Sequence, residues 1–273
     1  MRLFVDYQTS YTYAEPVRRM IQLLRLTPHS FAGQHVLDWR IDVDSDARLR
    51  EGRDGFGNII HMLYIDHPVD RLTVSVCGEV LTEDRSGLVE GVANELPPLV
   101  FRRETKLTHA DRAMEALARE IDAGGSTLDK LHRLMEHIHH KLRFDTNETD
   151  TGTTAAQAFT AGHGVCQDLA HIFIAVARCI GVPARYISGH IFRRDGAYLQ
   201  EAAHAWAEAW IDDLGWVAFD PTHAVSADDA YVRIAAGLDY LDAAPFAGAR
   251  SGGGQEKLTV EVKVKQGRMA AQA

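Results

Sequence analysis

Three stretches of the chain hold residue types suited to covalent chemistry. In GHGVCQDLAH, residues 162–171, Cys166 stands where a glycine-containing turn enters an apolar, helix-like run. A helix start leaves four backbone N–H groups unpaired and carries the positive end of the helix dipole. Both favour a thiolate, and the same N–H groups could stabilise an oxyanion on an attacked carbonyl. Gly162 and Gly164 let the chain turn sharply ahead of the thiol. A buried core cysteine and a metal ligand are the other readings of Cys166, and this stretch alone allows all three.

A nucleophilic cysteine needs a proton acceptor and a group that orients it. HAWAEAW and GWVAFDPTH, joined by IDDL over residues 204–223, read as a hairpin. A loop centred on Asp212 sets His204 directly opposite Asp220, with the two Cβ atoms about 5 Å apart. The carboxylate would then hold one imidazole nitrogen and leave the other for the thiol. A slip of one residue in the pairing would put the two side chains on opposite faces. Taken singly, His204 reads as a satisfied strand histidine and Asp220 as a turn acid before Pro221. Together with Cys166, in this order, they favour a nucleophile. Cys179, at the far end of the same helix where the dipole opposes a thiolate, is expected to pack in the core. About 20 Å of helix separates it from Cys166, beyond the roughly 7 Å a disulfide tolerates.

The elements that must position these residues fall into two groups. VLDWRIDV (36–43) alternates as a half-buried strand, and 58–66 and 71–80 continue the β pattern around a turn cluster at 51–58. Cys77 is expected to be a packed strand cysteine. A Pro-containing transition at 94–108 gives way to helical periodicity. Residues 109–125 place Ala113, Met114, Leu117 and Ile121 on one face; 126–144 form a second helix, with Ser126 and Asp129 as a capping box. A short helix behind a Thr cap lies within 151–162, and the Cys166 helix runs to residue 180, closed by Gly181 and Pro183. Strands follow at 184–191, 204–211 and 216–222; SGGGQ (251–255) reads as a flexible connector, and 257–265 as a terminal strand. The order predicts an α+β protein: an N-terminal β-sandwich-like domain over residues 1–95, then a helix-plus-antiparallel-sheet domain over 96–273 that includes the strand at 257–265.

Composition bounds the function. With 46% hydrophobic and 25% charged residues, 273 residues suffice for a sizeable core. The net charge of −9 and the lack of a basic run argue against nucleic acid and anionic membrane as partners. The N-terminal residues have no signal-peptide pattern and no stretch has the length to span a bilayer. Three cysteines without a secretion signal suggest free thiols and a cytoplasmic location.

GHGVCQDLAHIF, HAWAEAW and GWVAFDPTH resemble the signature segments of the transglutaminase-like superfamily. GVCQDLAH and the tail GLDYLDAAPFAGARSGGGQ are similar to its bacterial cysteine-protease-like members with an N-terminal β domain. The resemblance covers essentially the whole chain. It implies a papain-like, transglutaminase-like core with Cys166 as nucleophile, His204 as general base and acid, and Asp220 as orienting carboxylate. It places Trp206 beside the site, with a core strand aromatic as the equal alternative, and Asp168 in the helix's first turn, where interaction with the helix N-terminus is the plainer role. His171 is expected to be structural.

The chain departs from the family in lacking an EF-hand-like loop and any Trp at 144–165 to serve as a second oxyanion donor. It also has Leu238 where an Arg would be expected. No cofactor or metal is implied. The expected chemistry is a thioester on Cys166, formed from a peptide or protein substrate and released to water. Transfer to an amine (glutamine crosslinking), deamidation and a non-catalytic binding module are the alternatives. His132, His137, His139 and His140 on the second helix raise a metal site, but they lack a metalloprotease spacing and read as solvated.

Overall fold

In a computed structural model, residues 1–92, 96–145, 149–196, 199–200 and 202–267 are described. Residue 95, the last of the expected N-terminal domain, and residues 268–273 lie outside these ranges.

The chain opens with its longest element, β1 (Arg2–Thr27), which sequence patterning had not singled out as a strand. Its inward positions are Leu3, Val5, Tyr7, Thr9, Tyr11 and Tyr13, so the period of two is carried largely by tyrosines and a threonine. The ladders of β1 are interrupted between Thr12 and Arg19, around Pro16, which lacks an N–H for pairing. There follow β2 (Gln34–Val43), β3 (Arg48–Arg53), β4 (Ile59–Ile65), β5 (Val69–Thr82) and the short β6 (Leu88–Val89). The turn cluster expected at 51–58 is narrower than predicted. Residues 51–53 continue β3, which pairs with β4, and Asp54 closes the turn by accepting from the N–H groups of Phe56 and Asn58, both at 3.0 Å.

The helices come next. They are α1 (Arg112–Ile121), capped by Asp111; α2 (Thr127–Lys141), with the expected Ser126–Asp129 capping box; then, after β7 (Arg143–Phe144), α3 (Ala155–Ala161), capped by Thr154. In α1 the buried face is Met114, Leu117, Ala118 and Ile121, and Ala113 lies outside it. A two-residue strand, β8 (His163–Gly164), leads into α4 (Cys166–Cys179). The last part is β9 (Ala184–Ile191), β10 (Leu199–Gln200), β11 (His204–Ile211), β12 (Gly215–Phe219), β13 (Tyr231–Gly237), α5 (Tyr240–Ala243), β14 (Phe246–Gly252) and β15 (Glu256–Gln266).

Two antiparallel sheets result. In the first, the early half of β1 lies between β5 and β15, and its later half between β4 and β14, so one strand carries both wings of a curled eight-stranded sheet. The second has five strands in the order β13-β9-β11-β12-β6. The expected division after residue 95 is crossed in both directions: β6 pairs with β12, whereas β10, β14 and β15 join the first sheet.

Every residue of α4 from Gln167 to Arg178 is buried. The helix lies against β11 on the face of Ala205, Ala207 and Ala209, small side chains that let helix and sheet approach closely, with α1, α2 and α3 around it. Arg178 fixes its end by donating to the carbonyls of Phe101, Ala184 and Leu238 and to the Thr108 hydroxyl.

The other face of this sheet looks toward the first one. There Glu208 is enclosed by Arg185 and Arg233, whose Nε atoms reach its carboxylate at 2.6 and 2.8 Å. The two guanidinium groups outweigh burial and keep the carboxyl below its usual pKa. Two amides from the first sheet's side meet the backbone of β13. Gln34 exchanges bonds of 2.9 and 2.8 Å with Arg233, and Asn58 exchanges two of 2.8 Å with Ala236. Edge strand β13 is thereby closed by side chains acting as a neighbouring strand would.

Two cysteine expectations are corrected. Cys77 and Cys179 are exposed, not packed. In β5 the inward positions are Leu72, Val74, Val76 and Val80, and Cys77 falls on the alternate face. Cys179 occupies the last position of α4, beyond the buried stretch. Likewise Leu258 of β15 is exposed, Val260 is partly buried against the core, and Val262 and Val264 of the expected stripe lie within it. Among the described residues, no helix is long and apolar enough to cross a membrane.

Candidate active site

Cys166 is the first residue of α4 and is partly accessible. The turn before it depends on Asp168, whose Oδ2 accepts from the Val165 N–H at 2.9 Å. That takes up one donor just outside the helix, and the N–H of Cys166 belongs to the first turn, which has no partner within the helix. Asp168 is thus at the helix N-terminus as expected, and it is almost wholly buried, which raises its carboxyl above the ordinary range. Gly164 makes this approach possible: a Cβ there would lie 2.7 Å from the Asp168 carboxylate.

His204, the first residue of β11, is brought to the same place. Its Nε2 donates to Asp220 Oδ2 at 2.7 Å, and Cys166 lies near enough to the ring to favour its charged form. The nitrogen free for the thiol is therefore Nδ1. Burial opposes a charge on this ring. Asp220, through its charge and its hydrogen bond, and the contact with Cys166 outweigh burial and raise the His204 pKa well above that of an ordinary imidazole. Asp220 is depressed in turn: burial would raise it, but the charges and hydrogen bonds of His204 and His223 hold it ionised.

The hairpin that joins them has a different register from the one expected. Ile211 pairs with Gly215, so the turn is centred on Asp213, which takes a left-handed conformation with φ 70°. Ala207 pairs with Phe219, and continuing one step sets Trp206, not His204, beside Asp220. The displacement is two residues along the partner strand, which preserves the face. His204 and Asp220 therefore meet along a diagonal.

Trp206 lies beside His204, with its ring stacked at 27° and centroids 6.1 Å apart. Gly189, which pairs with His204, provides the space: a Cβ there would be 2.6 Å from the Trp206 ring and 2.2 Å from the Val232 carbonyl. His171 is fully buried, accepts from the Tyr240 N–H at 3.0 Å, and is pushed down to a pKa of about 3 by burial, so it is neutral. Leu238 takes part through its backbone: its carbonyl accepts from Arg178 and its N–H donates to Asp242.

Two residues at the site had not been picked out from sequence. Asp220 Oδ2 also accepts from His223 Nδ1 and from the Tyr231 hydroxyl, each at 2.7 Å, while Oδ1 accepts from the Thr222 N–H at 2.8 Å. His223 ends the third motif, three residues past Asp220, and that spacing was the available signal. Tyr231 opens β13, a strand whose weak alternation gave none.

Among the described residues, His204, Asp220 and His223 are the one group of three ligating side chains with atoms within 4.8 Å of one another. Both nitrogens lie 2.7 Å from the same oxygen, a hydrogen-bond distance shorter than the roughly 3.3 Å edge of a tetrahedral zinc site. The group is held together by shared protons, through the hydrogen bonds of both histidines to one carboxylate oxygen. Of the helix histidines, His132 packs edge-on against Phe219, and His139 Nδ1 bonds the Thr222 carbonyl at 3.0 Å.

Two family descriptions match the chain: the transglutaminase-like superfamily over residues 115–221 and the bacterial transglutaminase-like N-terminal region over residues 3–81. The first match spans Cys166, His204 and Asp220. An uncharacterized protein of Mycobacterium leprae is 30% identical over 275 residues, covering 96% of this chain and 98% of its own. A protein-glutamine gamma-glutamyltransferase of Pseudomonas aeruginosa is 29% identical over 141 residues, covering 48% of this chain and 20% of its own. In fold, the chain is similar to the crystal structure of a candidate cysteine protease from Cytophaga hutchinsonii, with a TM-score of 0.80 at 22% identity, covering 100% of this chain and 92% of that one. The chain belongs to the transglutaminase-like superfamily, a family of cysteine-based acyl-transfer proteins, and carries that superfamily's bacterial N-terminal region.

Proposed function

We propose that the protein is a cysteine-dependent enzyme that hydrolyses a peptide or amide bond in a peptide or protein substrate. Cys166 is the nucleophile, His204 the base and then the acid, and Asp220 the orienting carboxylate. The observation that carries this reading is the His204 ring, held at Nε2 by Asp220 with its other nitrogen left for the nearby thiol at the start of α4.

The steps follow from that geometry. The Cys166 thiolate adds to the carbonyl carbon, and the oxyanion is met by the Cys166 N–H. The C–N bond breaks as the His204 imidazolium gives its proton to the leaving amine, which leaves a thioester. His204, now neutral, takes a proton from water, whose oxygen attacks the thioester. The acid departs and the thiolate–imidazolium pair is restored. The reading includes a reducing compartment such as the cytoplasm, in keeping with the exposed thiols of Cys77 and Cys179.

A second reading, in which an amine takes the acyl group from a glutaminyl thioester, is favoured by the likeness to the Pseudomonas aeruginosa gamma-glutamyltransferase. One assay separates the two. Purified protein is given a library of glutaminyl-containing peptides with and without a labelled primary amine, alongside Cys166→Ala. New peptide termini or ammonia, absent in the variant, support hydrolysis; incorporated label supports transfer. Wild type that matches Cys166→Ala in every product would overturn both.

A further inference from the structure

The oxygen of Asp220 that holds His204 is shared by three donors. His204 Nε2, His223 Nδ1 and the Tyr231 hydroxyl each stand 2.7 Å from Oδ2, whereas Oδ1 has the Thr222 N–H at 2.8 Å. A carboxylate offers about four acceptor sites over its two oxygens. Three donors on one oxygen therefore compete, and each reduces the electron density available to the others. The tyrosine and the two histidines are not equivalent. Tyr231 and His204 are buried, but the His223 side chain is 47% exposed, and its ring centroid lies 5.2 Å from that of His204. It is held there by a short loop closed by the Asp220–Val225 bridge, in which the Asp220 N–H donates to Val225 at 2.8 Å.

We propose that His223 is a positioning residue for His204: by donating Nδ1–H to the shared oxygen of Asp220, it fixes that carboxylate and limits how strongly it holds the proton of the His204 ring. The proposal rests on the reading of Cys166 and His204 given above. The other titratable groups around the pair are Cys166 from α4; Tyr231 from β13, itself influenced by Asp228 and Arg194; and His139 from α2, bonded to the Thr222 carbonyl. His223 and Tyr231 alone of these share the oxygen with His204, and of these two His223 is the one open to solvent.

The sign follows. With His223 removed, Oδ2 has one competitor fewer, the Asp220–imidazolium bond strengthens, and His204 keeps its proton to higher pH. Asparagine at this position presents an N–H in place of Nδ1–H and is expected to restore the division. The test is the pH dependence of iodoacetamide alkylation, read at Cys166 by peptide mass spectrometry because the exposed Cys77 and Cys179 also react.

The alkaline limb that reports His204 is expected to move up by about half a pH unit to one unit in His223→Ala, and to return toward wild type in His223→Asn. An unmoved or lowered limb in His223→Ala, or an asparagine variant that matches alanine, overturns the proposal. A His204→Ala control separates the two levels. If that control leaves the Cys166 profile unchanged, the nucleophile–base reading fails. If it changes the profile and His223→Ala does not, only the role of His223 fails.

Discussion

His204 and Asp220 bond across a diagonal of their hairpin, at 2.7 Å between Nε2 and Oδ2, beyond the last paired rung of Ala207 and Phe219. The pair therefore depends on side-chain reach as well as on strand pairing, and the carboxylate is held at both oxygens to make that reach reproducible. Asp220→Asn keeps the shape but replaces an acceptor with a group that also donates. Turnover on the substrate found by peptide profiling is expected to fall by on the order of 10²–10⁴-fold with little change in KM. A loss under threefold would show that the carboxylate does not act through His204.

The same pair sets a pH window for stability. His204 is raised in the native state, so its contribution is full below the free imidazole pKa of about 6.5 and is lost as pH rises through the native value. Asp220 is depressed, so its contribution is present above about 3.9 and is lost as pH falls through its native value. The difference in urea midpoint between wild type and Asp220→Asn should be largest between about pH 4 and 6.5 and narrow on both sides. A difference that stays constant across that range and beyond would refute the linkage.

Gly189→Ala should disturb the fold and the site together. Its new methyl meets a backbone carbonyl at 2.2 Å and the Trp206 ring at 2.6 Å, and the carbonyl cannot swing aside as a side chain can. Destabilisation of about 1–3 kcal/mol in urea unfolding is expected, with slowed Cys166 alkylation as the ring beside His204 shifts. Wild-type stability would mean that β9 and β13 separate more readily than the packing implies.

Glu208→Ala leaves Arg185 and Arg233 facing each other in the interior. Removal of one partner from a buried ion cluster costs about 3–5 kcal/mol, so the variant should unfold at clearly lower urea or fail to accumulate as folded protein. Glu208→Gln, which keeps the acceptor oxygen, should fall between it and wild type. Equal stability of Glu208→Ala and wild type would show that the charges are already satisfied by other groups.

The three motif residues were legible because each sits in a local segment whose residue types explain themselves: a thiol at a helix start, a histidine opening a strand, an acid before a proline. The hairpin register was not, because the left-handed residue of the turn is Asp213, and IDDLG offers two aspartates of equal suitability. His223 and Tyr231 were missed because their bonds to Asp220 cross a loop and a strand whose ladder is broken between Arg233 and Ala235. Periodicity revealed the alternating faces of β2 and β15 but not their partners. Nor did it reveal β1, whose inward tyrosines and threonine look polar on paper. Cys77 shows the limit from the other side: residue type suggested burial, and strand phase decided against it.

The pairing of β1 with β15 has a consequence for folding. Leu3 lies opposite Gln266 and Tyr13 opposite Glu256, so segments far apart in sequence must meet before this ladder can form. Cys166, His204 and Asp220 all lie between the two strands, so the pairing closes a loop that contains the whole candidate site. Such non-local closure is slow beside the formation of local helices and hairpins, and the ladder is expected to be among the late contacts of the fold.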